Sequence, residues 1–239
     1  GQLSSCVDWI GATITVYTDS VDATIVRSRL DDLHQMANEI LQTNVVTVKK
    51  LRTFTGKAQS IASLLYTWRP FVHMLYAGIM SDENSGAPLN CRWVKQVHVP
   101  VAWIIAFLRG TRGDLVRHMS VDGYMRRGTK VVITTDASVY GIGAILEING
   151  CIAAWLSDTF SSCDCHVLGL SDTLSSVDQQ LLEAFAVLVS LREWSRHWSS
   201  IRSVLSVQGD NMATLSMVCK MQPKGRLGIV ARELAIDIG

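Results

Sequence analysis

The stretch that most constrains this chain is Lys130 to Gly150, KVVITTDASVYGIGAILEING. Val131, Val132, Ile133, Thr134 and Thr135 are β-branched, which predicts a pleated strand with both faces covered. Asp136 ends that run. Ser138 to Gly141 is a short connection, and Gly141 to Leu146 a second extended run. A carboxylate at the end of an apolar strand is costly to bury alone. It either caps the turn, as Asp does through its own backbone, or faces a cation. This segment alone leaves both readings open.

Two further segments repeat the pattern. Leu181-Leu182-Glu183-Ala184-Phe185-Ala186 sets an acid near the start of an apolar helix, and Val204 to Asn211 (VLSVQGDN) ends an apolar strand with Asp210. Read as ordinary structure, Glu183 is a solvated helix residue and Asp210 an N-cap for a helix from Asn211. A cap role is compatible with metal binding. Read together, the order is strand-Asp, helix-Glu, strand-Asp. TDASVYGIGAIL, QQLLEAFAVLVSLREW and SVQGDNMATL resemble the ribonuclease H (RNase H) domain of a retroelement polyprotein. The preceding region resembles the reverse transcriptase thumb and connection, with wording closest to DIRS-like retrotransposons among the DIRS-like and LTR-type elements.

The resemblance implies that Asp136, Glu183 and Asp210 are catalytic ligands for Mg²⁺ or Mn²⁺, hard cations that take oxygen donors. It implies two ions about 4 Å apart, serving the attacking water and the departing 3′ oxygen. The implied substrate is the RNA strand of an RNA–DNA hybrid, read through its 2′-hydroxyls. The family has a fourth carboxylate after Asp210. Asp237 is the acid nearest the end, but its place in the last helical turn makes it a doubtful ligand. The expectation is that the chain stops before the final strand and helix of that fold. The Tyr-X-Asp-Asp motif of the polymerase palm does not occur in the sequence, so polymerase activity is not expected. The alternative reading is a catalytically inactive, domesticated remnant acting as a structural subunit of a larger assembly with other protein chains. A third is a metal-free nucleic-acid-binding module.

The expected fold is mixed α and β. A helical thumb/connection region spans 1–110, a linker rich in Gly, Arg and Asp spans 111–129, and an RNase H-like mixed sheet flanked by helices spans 130–239. In the first region Cys6 to Val16 reads as a strand bent at Gly11. Ser28 to Asp31 reads as a capping box opening a helix with Leu30, Leu33, Ala37, Ile40 and Leu41 at helical spacing. Thr47 is a candidate cap for a second helix, and Pro70 stops that helix or starts the next, Phe71 to Met80. The pattern is that of an all-helical bundle. Ser81 to Asn90 reads as a loop. Val101 to Leu108 is apolar on two sides, which predicts burial between neighbours. In the second region, strands are expected at about 130–137, 141–148, 151–156 and 201–209, with Asn149-Gly150 as a hairpin turn. Ser157 to Ser176 reads as a polar loop. A capping box at Ser176 to Gln179 opens a helix to about Trp194, and helices follow at about 211–220 and 226–237.

Charge is unevenly placed. Residues 1–127 hold 14 Lys/Arg against 10 Asp/Glu, and residues 128–239 hold 8 against 11. Lys49, Lys50, Arg52 and Lys57 fall on the second helix, either as a solvated face or as contacts to nucleic-acid phosphates. Gly56 in that helix costs about 1 kcal/mol against Ala, which a close approach by a helix or a nucleic-acid backbone would explain. Cys163-Asp164-Cys165-His166 lacks the second ligand pair of a zinc site. His73, His98, His118 and His197 stand isolated, and the tryptophans read most simply as core, with base stacking open for one or two. Six cysteines in 239 residues form no disulfide framework, which predicts a reducing compartment: cytoplasm, nucleus or an organelle. Val99 to Leu108 is about half of the roughly 20 residues a membrane span needs. The start at Gly1-Gln2-Leu3, with neither Met nor a basic leader, predicts a piece of a longer polypeptide or a processed chain.

Overall fold

A computed structural model describes residues 5–9, 11–81, 86–171 and 173–238. Ile10 of the expected first strand and residues 82–85 of the expected 81–90 loop lie outside the described residues. The chain divides into two units: residues 1–120 with 235–239, and residues 121–234.

The first unit opens with three antiparallel strands, β1 (Ser5–Trp9), β2 (Ala12–Val16) and β3 (Ser20–Ile25). Gly11, at φ +81°, makes the left-handed turn between β1 and β2. Helix α1 (Arg27–Leu41) follows, then β4 (Val45–Thr47), α2 (Val48–Leu64), α3 (Arg69–Met80), β5 (Cys91–Trp93), α4 (His98–Leu108) and β6 (Val116–Ser120). Buried α1 residues Leu30, Leu33, Ala37 and Ile40 meet Leu51, Phe54, Ala58 and Ile61 of α2 in one core. Trp68 and Phe107 stack there at 5.6 Å, and Phe71 meets Phe107 edge-on at 5.5 Å. The Thr47 side chain accepts from the Lys50 amide and caps α2. Pro70 occupies the first turn of α3, where its missing N–H leaves no helix bond unmade.

Three expectations are corrected in this unit. It is not all helical: β1, β2, β3 and β6 form a four-stranded antiparallel sheet, and β4 pairs with β5. Strand β6 lies within 111–129, so that segment holds paired backbone as well as connection. Thr24 to Ser20 pair with Val116 to Ser120, which sets His118 directly opposite Asp22 with Nδ1 2.6 Å from Oδ1. Lastly, α1 begins at Arg27, two residues earlier than a cap at Ser28 would set it, without a side-chain cap. Asp31 instead pairs with Arg27 at 3.0 Å, one turn away.

The second unit begins with a single helical turn, α5 (Val121–Tyr124). It continues through β7 (Thr129–Ser138), β8 (Gly141–Ile148), β9 (Cys151–Asp158), α6 (Ser162–Leu168), α7 (Gln179–Trp194), β10 (Ser203–Gln208), α8 (Met212–Lys220) and α9 (Gly228–Ile238). The sheet order is β10-β7-β8-β9, with β10 parallel to β7 and the other pairs antiparallel. This is a mixed sheet flanked by helices, as expected, and it is consistent with the RNase H-like fold that the resemblance implies. Asn149 (φ +52°) and Gly150 (φ +83°) turn β8 into β9, since a two-residue hairpin of this kind needs positive φ at both positions.

Strand β7 differs from expectation: it alternates, with Val131, Ile133, Thr135 and Ala137 buried, Val132 and Thr134 half-buried, and Lys130 and Asp136 exposed. Helix α7 covers one face, where Leu182 and Ala186 meet Ala137 and Ile142, and Trp194 meets Val131, Ile133 and Leu146. The expected loop at 157–176 contains α6, closed by a capping box between Ser161 and Asp164 and by Gly169 in the left-handed conformation.

Gly141 is required by close packing, because a Cβ there would lie 2.2 Å from the Asp158 carbonyl oxygen. Gly141→Ala is expected to destabilise by about 1–3 kcal/mol. Gly143→Ala, where a Cβ meets nothing within 4 Å, is expected to change stability by no more than about 0.5 kcal/mol. Urea midpoints of the two variants check the contrast.

Candidate metal centre

The parallel register of β10 on β7 positions two acids. Gln208 pairs with Thr134, so two residues further along both strands come Asp210 and Asp136. Neighbouring strands lie about 4.8 Å apart, and the two carboxylates therefore meet at the strands' C-terminal ends. The third acid arrives from α7. Its apolar face packs on β7 and β8, and Glu183 falls just beyond the helix's first turn, beside the end of β7. One carboxylate oxygen from each of Asp136, Glu183 and Asp210 lies within 4.8 Å of the others, the one such grouping of potential ligands among the described residues.

The three differ in environment. Asp136 and Asp210 are exposed, whereas Glu183 is 3% exposed, which overturns the solvated-helix reading. Burial pushes the Glu183 carboxyl above the usual carboxylate range. A hydrogen bond from Gln179 opposes that, and the charges of Asp210 and Asp136 reinforce it. Gln179 Nε2 donates to Glu183 Oε1 at 2.9 Å and also to the carbonyl of Ala137. The cap of α8 is not Asp210: Asn211 accepts from the amides of Ala213 and Thr214, each at 3.1 Å. The Asp210 carboxylate is thus not spent on the helix end.

Three oxygen-only donors, one of them buried among like charges, fit a hard divalent cation such as Mg²⁺ or Mn²⁺. A cation would offset both the desolvation of Glu183 and its repulsion by the two aspartates. The exposed side of Asp136 and Asp210 leaves room for further oxygen ligands from water or a phosphate. Asp237 is not in the cluster and is exposed near the end of α9. Cys163 and His166 are exposed while Cys165 is buried, all within α6, and among the described residues they gather no other ligand.

The four cations expected to touch nucleic acid lie on α2 of the first unit. Lys49 and Arg52 are exposed. Lys50 pairs with Glu39 at 2.7 Å and Lys57 with Asp32, both acids on α1. Arg29, Asp32, Arg52, Thr53, Gly56 and Lys57 line a groove of about 480 Å³. A Cβ at Gly56 would meet nothing within 4 Å, so no packing among the described residues demands this glycine. Gln179 was not among the expected site residues. Its signal is the helical i,i+4 spacing to Glu183.

No family model matches the chain, and no curated protein matches it. Solved structures similar to it include three of foamy viral protease-reverse transcriptase. One is a dRH form in complex with double-stranded DNA (TM-score 0.33, covering 98% of this chain and 36% of the other). One is in complex with an RNA/DNA hybrid (0.36, 96% and 27%), and one with double-stranded DNA (0.33, 92% and 39%). Each is 14% identical to this chain. The chain therefore spans well under half the length of the proteins it is similar to.

Proposed function

We propose that the second unit is an RNase H-type endonuclease that cleaves the RNA strand of RNA–DNA hybrids with the help of Mg²⁺ or Mn²⁺. The observation that carries this reading is the meeting of Asp136, Glu183 and Asp210 within 4.8 Å at the C-terminal ends of two parallel strands. These three side chains would hold the ions. When bound, divalent cations supply a nucleophile from water and stabilise the leaving oxygen of an in-line displacement. Water then adds to phosphorus, the P–O3′ bond breaks, and the products are a 5′-phosphate and a 3′-hydroxyl. The carboxylates need no proton-transfer role: Asp136 and Asp210, both exposed, and the buried Glu183 of α7 would serve as the ligands. Lys49 and Arg52, with Lys50 and Lys57 beside them, would hold the sugar-phosphate backbone without reading sequence. Gly56 would allow that backbone a close approach along the groove.

The test uses the whole chain, a hybrid labelled on its RNA strand, and Mg²⁺ or Mn²⁺. The expected result is a shortened RNA strand and an intact DNA strand, with no reaction in EDTA. Absence of cleavage with either metal, or cleavage undiminished in Asp136→Asn, would overturn the proposal. One observation favours a second reading: the cluster holds three acids and Asp237 is not one of them. A structural subunit would then cleave nothing, whereas a metal-free nucleic-acid-binding module would bind hybrid with an affinity that falls steeply with salt and show no turnover.

A further inference from the structure

We infer that Gln179 is a positioning residue that locks the Glu183 carboxylate to the end of the strand carrying Asp136. The inference rests on the metal-centre reading above and adds a residue to it. A glutamine amide has two N–H donors, and both are used here. One goes to the carbonyl of Ala137, the residue directly after Asp136, and the other to Glu183 Oε1 at 2.9 Å. Both partners are acceptors, so only the nitrogen can face them. A flipped amide would set its oxygen against two other oxygens.

This arrangement does two things. It ties α7 to β7 at the height of the cluster by a bond independent of the apolar contacts. It also engages one of the two Glu183 oxygens, leaving the other for a cation and fixing the carboxylate's rotation. Without the amide, Glu183 would be nearly fully buried and lack this donor, and it would be free to turn away from Asp136 and Asp210. Hydrogen bonds of this kind around a metal ligand change affinity or activity by about 10–100-fold when removed. Leu is one methylene shorter than Gln and has no donor. Asn keeps the amide but is one methylene too short to span both acceptors.

The experiment titrates Mn²⁺ into the whole chain and into Gln179→Leu and Gln179→Asn by calorimetry, with hybrid cleavage measured in parallel. Circular dichroism checks the fold, and the Asn variant stands if the Leu variant does not fold. The expected result is about 10–100-fold weaker Mn²⁺ binding in both variants. The metal concentration for half-maximal cleavage should rise in step, with KM for hybrid at saturating metal unchanged. Wild-type metal affinity in a folded variant would overturn the inference while leaving the proposed function standing. So would a raised KM with unchanged metal affinity, which would make Gln179 a substrate contact. A wild-type chain that neither binds Mn²⁺ nor cleaves would overturn both.

Discussion

Asp136→Asn and Asp210→Asn are each expected to lower hybrid cleavage by on the order of 10³-fold at saturating Mg²⁺, because a lost ligand forfeits several kcal/mol of charge stabilisation. Both side chains are exposed and at strand ends, so the fold should be untouched and melting temperatures without metal should hold or rise. The Asp210 result is the more informative. A reader of the sequence would assign its loss to a frayed α8, since an Asp before a helix is a preferred cap. In the structure Asn211 does that work. Asn211→Ala should therefore cost about 1 kcal/mol of stability with metal affinity retained, and Asp210→Asn should do the reverse. Single-turnover cleavage, Mn²⁺ titration and urea unfolding of the two variants separate the roles. If Asn211→Ala abolishes cleavage and Asp210→Asn leaves it intact, the assignment of the cluster fails.

What could be read in advance follows how local its cause is. Asp136, Glu183 and Asp210 stood out because each interrupts an apolar run, and an acid in such a place demands a partner. The Asn149-Gly150 turn and the Thr47 cap are decided by two to four neighbouring residues. The parallel register that sets Asp210 level with Asp136 is not local: it depends on β10 docking beside β7 across a sequence separation of more than 70 residues. Strands β3 and β6 were missed for the same reason. SVDATI and VRHMS are short and partly polar, and pairing with each other gives them strand geometry. Helix α6 has local signals in Ser161, Asp164 and Gly169, but its polar composition reads as a loop, which hides them. The pairing of Lys50 and Lys57 with acids of α1 halves the free charge of the basic row. No spacing within α2 could reveal that.

Glu183→Gln is expected to abolish cleavage and, at neutral pH in EDTA, to raise the melting temperature. Burial, with Asp210 and Asp136 adding to it, holds the Glu183 carboxyl above its usual range in the folded chain. Below the ordinary carboxylate range both folded and unfolded chains hold the proton, and Glu183 contributes no pH dependence. As pH rises through that range the unfolded chain releases its proton first. The native state then binds more protons than the unfolded state, and by linkage stability falls with rising pH until the folded group ionises as well. Above that point the full penalty persists. Gln carries no charge, keeps an oxygen that can accept from Gln179, and removes this decline. A bound divalent ion removes it in the wild type too, since a ligand at 100 times its Kd stabilises by about 2.7 kcal/mol. Thermal melts from acid to neutral pH, with EDTA and with Mg²⁺, therefore give four curves. Relative to Glu183→Gln, wild type in EDTA should lose stability toward neutrality and regain it with Mg²⁺. Glu183→Gln should lack that decline in EDTA and gain little from the metal. A variant that melts below wild type at neutral pH in EDTA would mean the buried carboxylate is held favourably by its neighbours, and the cluster would then need no cation to exist.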